Sequence, residues 1–393
     1  MKIKSAQRIN QVREYYFSRK LQEIAQMNQQ GTKVINLGIG SPDLKPPTDA
    51  VRKLQYESYH PGNHAYQSYR GIPELRSAFA KWYQRFFRVP LNPDSEVLPL
   101  IGSKEGIMHL SMTYLDDGDR VLIPNPGYPA YRTAALLAGA RPEAYLLSAR
   151  NGWRPNLDAL AAQAPEEIKL MWVNYPHMPT GTNVDPGFFR ELIGFARTYN
   201  ILICNDNPYS FILNNKPLSL LAAEGLDDHV LELNSLSKSH NMAGWRIGML
   251  AGHQQHINNV LKFKSNMDSG MYRPLQLAAV EALDSSVNWY RQLNDTYRQR
   301  RKKVYELLDT LGCRYEKGQT GLFVWAAIPE THSDGFALSD EVLHRARVFL
   351  TPGGIFGSQG DAYIRVSLCC KSEIIEEALG RIQWSRRQAA GSR

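Results

Sequence analysis

Ser235-Leu236-Ser237-Lys238-Ser239-His240-Asn241-Met242-Ala243-Gly244-Trp245-Arg246-Ile247-Gly248 follows the apolar run Val230, Leu231 and Leu233, which reads as a strand. A lysine stands between two serines, and an arginine comes eight residues later between two glycines. The arrangement suits a carbonyl cofactor that bears a phosphate. Lys238 can condense to a Schiff base, while Ser235, Ser237 and Arg246 offer hydroxyls and a guanidinium to an anion. A surface lysine on a polar turn is the plain alternative, so the rest of the chain has to decide.

Working outward, short apolar runs alternate with amphipathic stretches. Residues 97–101, 120–123, 169–173, 201–204, 230–233 and 247–250 read as strands, and 73–87, 106–114, 186–199, 255–264 and 274–283 as helices. This is an α/β pattern, predicting a large domain with a mostly parallel sheet flanked by helices. Beyond a long basic helix over 286–310 the texture changes. Strands over 313–315, 321–327 and 363–368 and helices over 339–346 and 372–384 describe a smaller α+β domain. A helix over 9–30 is expected to join it. The expected division is 1–47 as an N-terminal segment packing with the small domain, 48–285 as the large domain and 286–393 as the small one. A chain of 393 residues exceeds what one core normally supports.

Nearly every polar motif falls after one of the strands, where open α/β sheets hold ligands. Gly102, Ser103 and Lys104 follow the first strand and open a helix, a natural phosphate site. Tyr128 and Tyr131 follow the second, in Pro124-Asn125-Pro126-Gly127-Tyr128-Pro129-Ala130-Tyr131, where a ring can stack on a flat ligand. Asn174 opens Asn174-Tyr175-Pro176-His177-Met178-Pro179-Thr180-Gly181 after the third. Asp206 ends the fourth, 32 residues before Lys238, with Tyr209 three residues on. Taken singly, each has a plain structural reading: a capping aspartate, a packed tyrosine, a common Gly-Ser turn.

Together, in this order and spacing, these motifs resemble the class I/II aminotransferases, the aspartate-aminotransferase-like enzymes of fold type I that use pyridoxal 5'-phosphate. The resemblance runs from about residue 34 to 368 and implies a role for each motif. Lys238 would hold the cofactor covalently and then move the proton. Asp206 would pair with the pyridine nitrogen, Tyr209 would donate to the phenolic oxygen, and Tyr128 would stack on the ring, with Tyr131 second in line. Gly102, Ser103, Lys104, Ser235, Ser237 and Arg246 would take the phosphate. Asn174 would serve cofactor and substrate. Gly40, in Asn36-Leu37-Gly38-Ile39-Gly40-Ser41-Pro42-Asp43, would lie over the substrate, and Arg365 would grip its α-carboxylate as a bidentate fork. Tyr66, in Tyr66-Gln67-Ser68-Tyr69-Arg70-Gly71-Ile72-Pro73, would reach the phosphate of a neighbouring subunit. That implies a homodimer with shared active sites, to which Tyr272 and Arg273 would also contribute. One position departs from the family. Met178 stands where an asparagine normally donates to the phenolic oxygen, and methionine cannot donate.

The implied reaction moves an amino group between an L-amino acid and a 2-oxo acid by a ping-pong route. A carbon–sulfur lyase or a decarboxylase would use the same cofactor residues and stays open. A regulator with an added helix-turn-helix domain is not expected, because 35 residues precede Asn36. Nor is a silent binding protein, given the intact lysine, aspartate, tyrosine and arginines. The net charge of +8 is spread, and the densest run, Arg298, Arg300, Arg301, Lys302 and Lys303, reads as a solvated helix face, so nucleic acid is not an expected partner. Small-molecule amino and 2-oxo acids are. No apolar run reaches the ~18 residues of a membrane span. The N-terminus lacks a signal-peptide core, and the adjacent Cys369 and Cys370 suit neither a structural disulfide nor a metal site, so a cytoplasmic enzyme without a metal is expected.

Overall fold

A computed structural model of the chain describes residues 3–12, 16–163 and 165–391. The main sheet has seven strands, in the spatial order Val97–Leu100, Gly248–Gly252, Val230–Ser235, Leu202–Asp206, Ile168–Val173, Arg120–Asn125, Arg141–Leu146. All run parallel except Gly248–Gly252, which is antiparallel to both neighbours. The interior strands are buried on both faces, so they read as continuous apolar runs. Their side chains still divide by alternation. Leu170, Trp172, Leu202, Cys204, Leu231 and Leu233 pack with helices Ser103–Tyr114 and Gln254–Lys264. Met171, Val173, Ile203 and Val230 join the opposite layer, with helices Pro73–Phe87 and Pro186–Tyr199.

Those last two helices have the bounds expected of them, because their ends are written in the sequence. Each starts with proline in its first turn and closes on a left-handed residue, Arg88 at φ 63° and Asn200 at φ 53°. The Asp185 side chain caps the second by accepting from the Phe188 amide at 3.0 Å. All six expected main-sheet strands are present. The seventh, Arg141–Leu146, was not legible. It pairs only with Arg120–Asn125, and as an edge strand it tolerates Pro142 and a half-exposed, charged pattern.

A second sheet is antiparallel, in the order Thr351–Pro352, Tyr363–Ser367, Phe323–Ala327, Arg314–Tyr315. Ile35–Asn36 pairs in parallel with Val348–Phe349, which ties the N-terminal segment to the C-terminal part of the chain. The expected helix over 9–30 is observed as Gln7–Asn10 and Tyr16–Gln29, and residues 13–15 lie outside the described residues. The expected helix over 339–346 begins earlier, at Gly335, because Asp334 caps it by accepting from the Ala337 amide.

The basic run on the long helix Val287–Leu311 is not simply a solvated face. Arg300 is buried, with its side chain 3% exposed. Its Nη1 and Nη2 meet Asp43 Oδ1 and Oδ2 at 2.6 and 2.8 Å, and Nη1 also donates to the Leu368 carbonyl at 3.0 Å. Arg301 donates to the Gln319 carbonyl at 2.6 Å. The fork on Asp43 anchors the loop over 38–43 against the helix. Asp43→Ala would leave a guanidinium buried without its counter-charge, and such a loss costs about 3–5 kcal/mol. Urea unfolding is the measurement, and a loss below ~1 kcal/mol would show that the pair does not hold this loop.

Candidate active site

A cavity of about 700 Å³ opens where the parallel strands end. Lys238 lies on the short helix Leu236–Ser239, which starts as Val230–Ser235 stops. Ser235 Oγ accepts from the Ser237 amide at 3.0 Å and donates to Ser237 Oγ at 2.8 Å, which fixes the turn and both hydroxyls. Lys238 Nζ donates to the Gly40 carbonyl at 2.6 Å. Burial pushes this lysine's pKa below its ordinary value. The charges of Arg365 and Arg246 add to the shift, while Cys369 and Asp206 oppose it. The amine is thereby biased towards its neutral, nucleophilic form.

Asp206 sits at the end of its strand, 5% exposed. Oδ2 accepts from the Tyr131 hydroxyl at 2.9 Å, whereas Oδ1 is buried with no hydrogen-bond partner. Burial raises the pKa to about 6. The Tyr131 bond and Lys238 pull it down, and the charge of buried Glu232 pushes it up. An unpaired carboxylate oxygen in such a place calls for a cation or an N–H donor. Asn174 Nδ2 donates to the Asp206 carbonyl, and its Oδ1 accepts from the Met178 amide at 2.8 Å. Tyr131 is stacked on Trp172 with centroids 5.1 Å apart, underneath Tyr128, whose ring meets it edge-on. Tyr209 also lines the cavity, and burial raises its pKa far above the ordinary value.

At the other end Gly102 takes φ 88°. A Cβ there would lie 2.1 Å from Arg246 Nη2 and displace the guanidinium, and the positive φ itself favours glycine. Arg246 is itself in the left-handed region at φ 57°, a cost of about 1–2 kcal/mol that the surrounding structure absorbs. Its Nη1 donates to the Ala243 carbonyl at 2.9 Å and lies 3.5 Å from Ser237 Oγ. Ser103 and Lys104 stand in the first turn of helix Ser103–Tyr114 beside it. A helix N-terminus, two cations and three hydroxyls (on Ser103, Ser235 and Ser237) thus converge, which is the donor set of a phosphate site.

Arg365 closes the third side, from strand Tyr363–Ser367. Nη2 donates to the Gly38 carbonyl at 2.9 Å, and Nη1 lies 3.3 Å from the Met178 sulfur. The guanidinium carbon is 3.8 Å from the Phe323 ring centroid and 4.6 Å from that of Phe356. Met178, singled out for its missing donor to the cofactor ring, therefore also stands against the arginine expected to grip the substrate. Gly40 is confined by Phe323, whose Cζ would be 2.2 Å from an added Cβ.

Of the expected residues, Gly40, Ser103, Lys104, Tyr128, Asn174, Asp206, Tyr209, Ser235, Ser237, Lys238, Arg246 and Arg365 line this one cavity. Gly102 lies behind Arg246 and is not part of the lining. Tyr66 is 90% exposed and does not line this cavity, and Arg273, which does not line it either, pairs with Glu74 at 3.1 Å. Phe17, Ser18 and Leu21 of helix Tyr16–Gln29, with Phe323 and Phe356, line the cavity without having been foreseen. No local motif marks them. Tyr131 was foreseen only as a second candidate for stacking; its spacing from Tyr128, one helical turn on, was the available signal for a residue lying beneath. Elsewhere Glu105, His109 and Asp268 come together, but Lys264 Nζ already neutralises Asp268 at 2.8 Å.

The sequence profile of the family aminotransferase class I and II matches residues 32–382, and the chain belongs to this family. It is 40% identical over 382 residues to the LL-diaminopimelate aminotransferase of Dehalococcoides mccartyi (strain CBDB1), covering 97% of this chain and 98% of that protein. It is 38% identical to the LL-diaminopimelate aminotransferase of Moorella thermoacetica, again with 97% and 98% covered. The substrate-bound BacF structure from Bacillus subtilis superposes with a TM-score of 0.92 at 36% identity, covering 98% of both chains. This protein is a pyridoxal-phosphate-dependent aminotransferase, a transferase of amino groups. The residues present fit the cofactor: a desolvated amine, an unpaired carboxylate oxygen 5% exposed with its residue, and a cradle at Gly102 that a Cβ would block.

Asp206 gives a direct check on this electrostatic arrangement. Its pKa in the folded, cofactor-free protein is raised from 3.8 to about 6. Stability from this group is therefore present below 3.8, falls as pH rises through that interval, and stays lost above about 6. Tyr131→Phe removes the one bond that lowers this value. An infrared titration of the carboxyl should find its midpoint near 6 in the native chain and higher in Tyr131→Phe. An unmoved midpoint would mean the hydroxyl does not tune this group.

Proposed function

We propose that Lys238 carries the cofactor and, once released, moves a proton to and from the substrate Cα. The observation that supports this most is its amine, half-buried and 2.6 Å from the Gly40 carbonyl, in one cavity with Asp206 and Arg365. When bound, pyridoxal phosphate supplies an aldehyde for the amino group and a ring that stores an electron pair. Asp206, whose Oδ1 has no partner, would pair with the protonated ring nitrogen, while Tyr131 holds the carboxylate through Oδ2. Tyr209 and Asn174 would hold the cofactor by its phenolic oxygen, and Tyr128 would pack against its ring. Ser103, Lys104, Ser235, Ser237 and Arg246 bind the phosphate, with Gly102 leaving room for the guanidinium. Arg365 orients the substrate carboxylate, and the Gly40 main chain covers it.

The active protein on this reading is a cytoplasmic homodimer. Tyr56, Tyr59, Tyr66, Tyr69 and Tyr272 are exposed, at 62, 87, 90, 43 and 37%, an aromatic load typical of a contact surface. The segments carrying Tyr66 and Tyr272 pack together, since a Cβ on Gly270 would lie 2.4 Å from the Gln67 carbonyl oxygen. Tyr66 would act in the neighbour's phosphate site. The domain division at 47/48 and 285/286 belongs to the same proposal.

Transfer is separated from lyase chemistry by the fate of nitrogen. Holoenzyme with a mixture of ¹⁵N-labelled L-amino acids lacking glutamate, and unlabelled 2-oxoglutarate, should yield ¹⁵N-glutamate. Release of labelled ammonium in its place would contradict transfer. Arg365→Ala should keep the yellow colour of the bound cofactor and lose about 2–5 kcal/mol in kcat/KM for every donor. Loss of the cofactor, or retained activity, would put this arginine elsewhere.

A further inference from the structure

Glu232 lies in the middle of strand Val230–Ser235 and is fully buried. Alternation puts its side chain, with that of Val230, on the face of the sheet covered by helix Pro73–Phe87, opposite Leu231 and Leu233. Donors from three elements converge on it there. Oε1 accepts from the Tyr83 hydroxyl at 2.8 Å, and Oε2 accepts from Asn205 Nδ2 at 3.0 Å and the Leu220 amide at 2.8 Å. None of these donors is charged, and a carboxylate buried among neutral partners is costly to keep. The donors nevertheless fit the ionised form. Both N–H groups can only donate, and Asn234 Nδ2 donates to the Tyr83 oxygen at 3.2 Å, which leaves the hydroxyl proton for Glu232. Burial pushes the pKa of Glu232 up, while its hydrogen bonds with Asn205, Ser219, Leu220 and Tyr83 pull it back. The titratable groups that feel its charge are Tyr83, Cys204 and Asp206.

Two of these donors lead on to the cavity. Asn205 Oδ1 accepts from the Tyr175 amide at 2.9 Å, so Asn205, the residue before Asp206, fixes the residue after Asn174. Asn174 in turn donates to the Asp206 carbonyl. Tyr83 holds Asn234, whose Oδ1 accepts from the Ser235 amide at 2.8 Å. The ends of three neighbouring strands, from which Asn174, Asp206 and Ser235 reach the cavity, are thus tied to one carboxylate on the far face of the sheet. We infer that Glu232 is a positioning residue of this active site: it holds those three strand ends together and sets behind them a fixed negative charge that favours positive charge on the bound cofactor. The inference rests on the cofactor reading above and concerns only what stands behind the residues that would touch the cofactor. Being wholly inside one chain, the arrangement does not depend on a neighbouring copy.

The test is the pH midpoint of the visible absorbance of the holoenzyme in the native chain, Glu232→Gln and Glu232→Asp. Gln keeps the shape and removes the charge, whereas Asp keeps the charge and is one methylene shorter. Charges on the order of 10 Å apart in such a medium shift each other's titration by roughly one pH unit. A negative charge favours the protonated form, so its removal lowers the midpoint. The midpoint should fall by about half a unit or more in Glu232→Gln and stay within about 0.2 unit of the native value in Glu232→Asp. A role in packing alone predicts the opposite order, with Gln near native and Asp displaced, and that result overturns the inference, as does an unchanged midpoint in both. Glu232→Gln also turns an N–H towards other donors, so the cofactor's dissociation constant, measured by equilibrium dialysis, should rise about tenfold or more. An unchanged constant overturns the hold on the strand ends. If neither variant folds, Glu232 is an anchor of the sheet alone and the inference fails. A native protein that takes up no coloured cofactor overturns the cofactor reading itself, and this inference with it.

Discussion

The bond from Lys238 Nζ to the Gly40 carbonyl joins two separately built parts of the molecule. On one side the amine is set by the main sheet, through the serine-capped turn that ends Val230–Ser235. On the other, the loop over 38–43 is set by the pairing of Ile35–Asn36 with Val348–Phe349 and by the Arg300 fork on Asp43. The loop is also stitched to Arg365 and Thr351, both of which donate to the Gly38 carbonyl, and to Ser367, which donates to that of Ile39. Lys238 and Arg365 are thus positioned against one stretch of main chain. A shift of that loop would move both at once.

Desolvation then gives these groups their chemistry. The same burial acts in opposite directions on the two signs of charge: it lowers the Lys238 pKa and raises that of Asp206. Burial thus biases the amine towards its neutral form and the carboxyl towards its protonated form. A cation beside Oδ1 would favour the charged carboxylate and so reverse the second bias. Tyr131 and Trp172 keep the carboxylate in place by packing, which lets a buried, half-satisfied group persist in one orientation.

Most of this site was legible in the sequence because its parts are short polar motifs placed after apolar strands, and the strands themselves are unbroken. Ser235 through Arg246 needed only the run before it. What was not legible depends on contacts distant in the chain. Arg300 looked like its solvated neighbours until the fold set Asp43 against it. Strand Arg141–Leu146 was hidden by a proline and charges that only an edge tolerates. No motif marks Phe17, Leu21, Phe323 and Phe356, which come together only where the N-terminal helix and the C-terminal part of the chain meet the cavity. Met178 was read as a lost donor to the cofactor ring; the fold also sets its sulfur against Arg365.

Chemical trapping tests the central claim most directly. Holoenzyme reduced with borohydride and digested should carry the cofactor's mass on the peptide containing Lys238, in equal amount to the colour lost. Label on Lys104, the other lysine lining the cavity, or no covalent label in a coloured protein, would contradict the account.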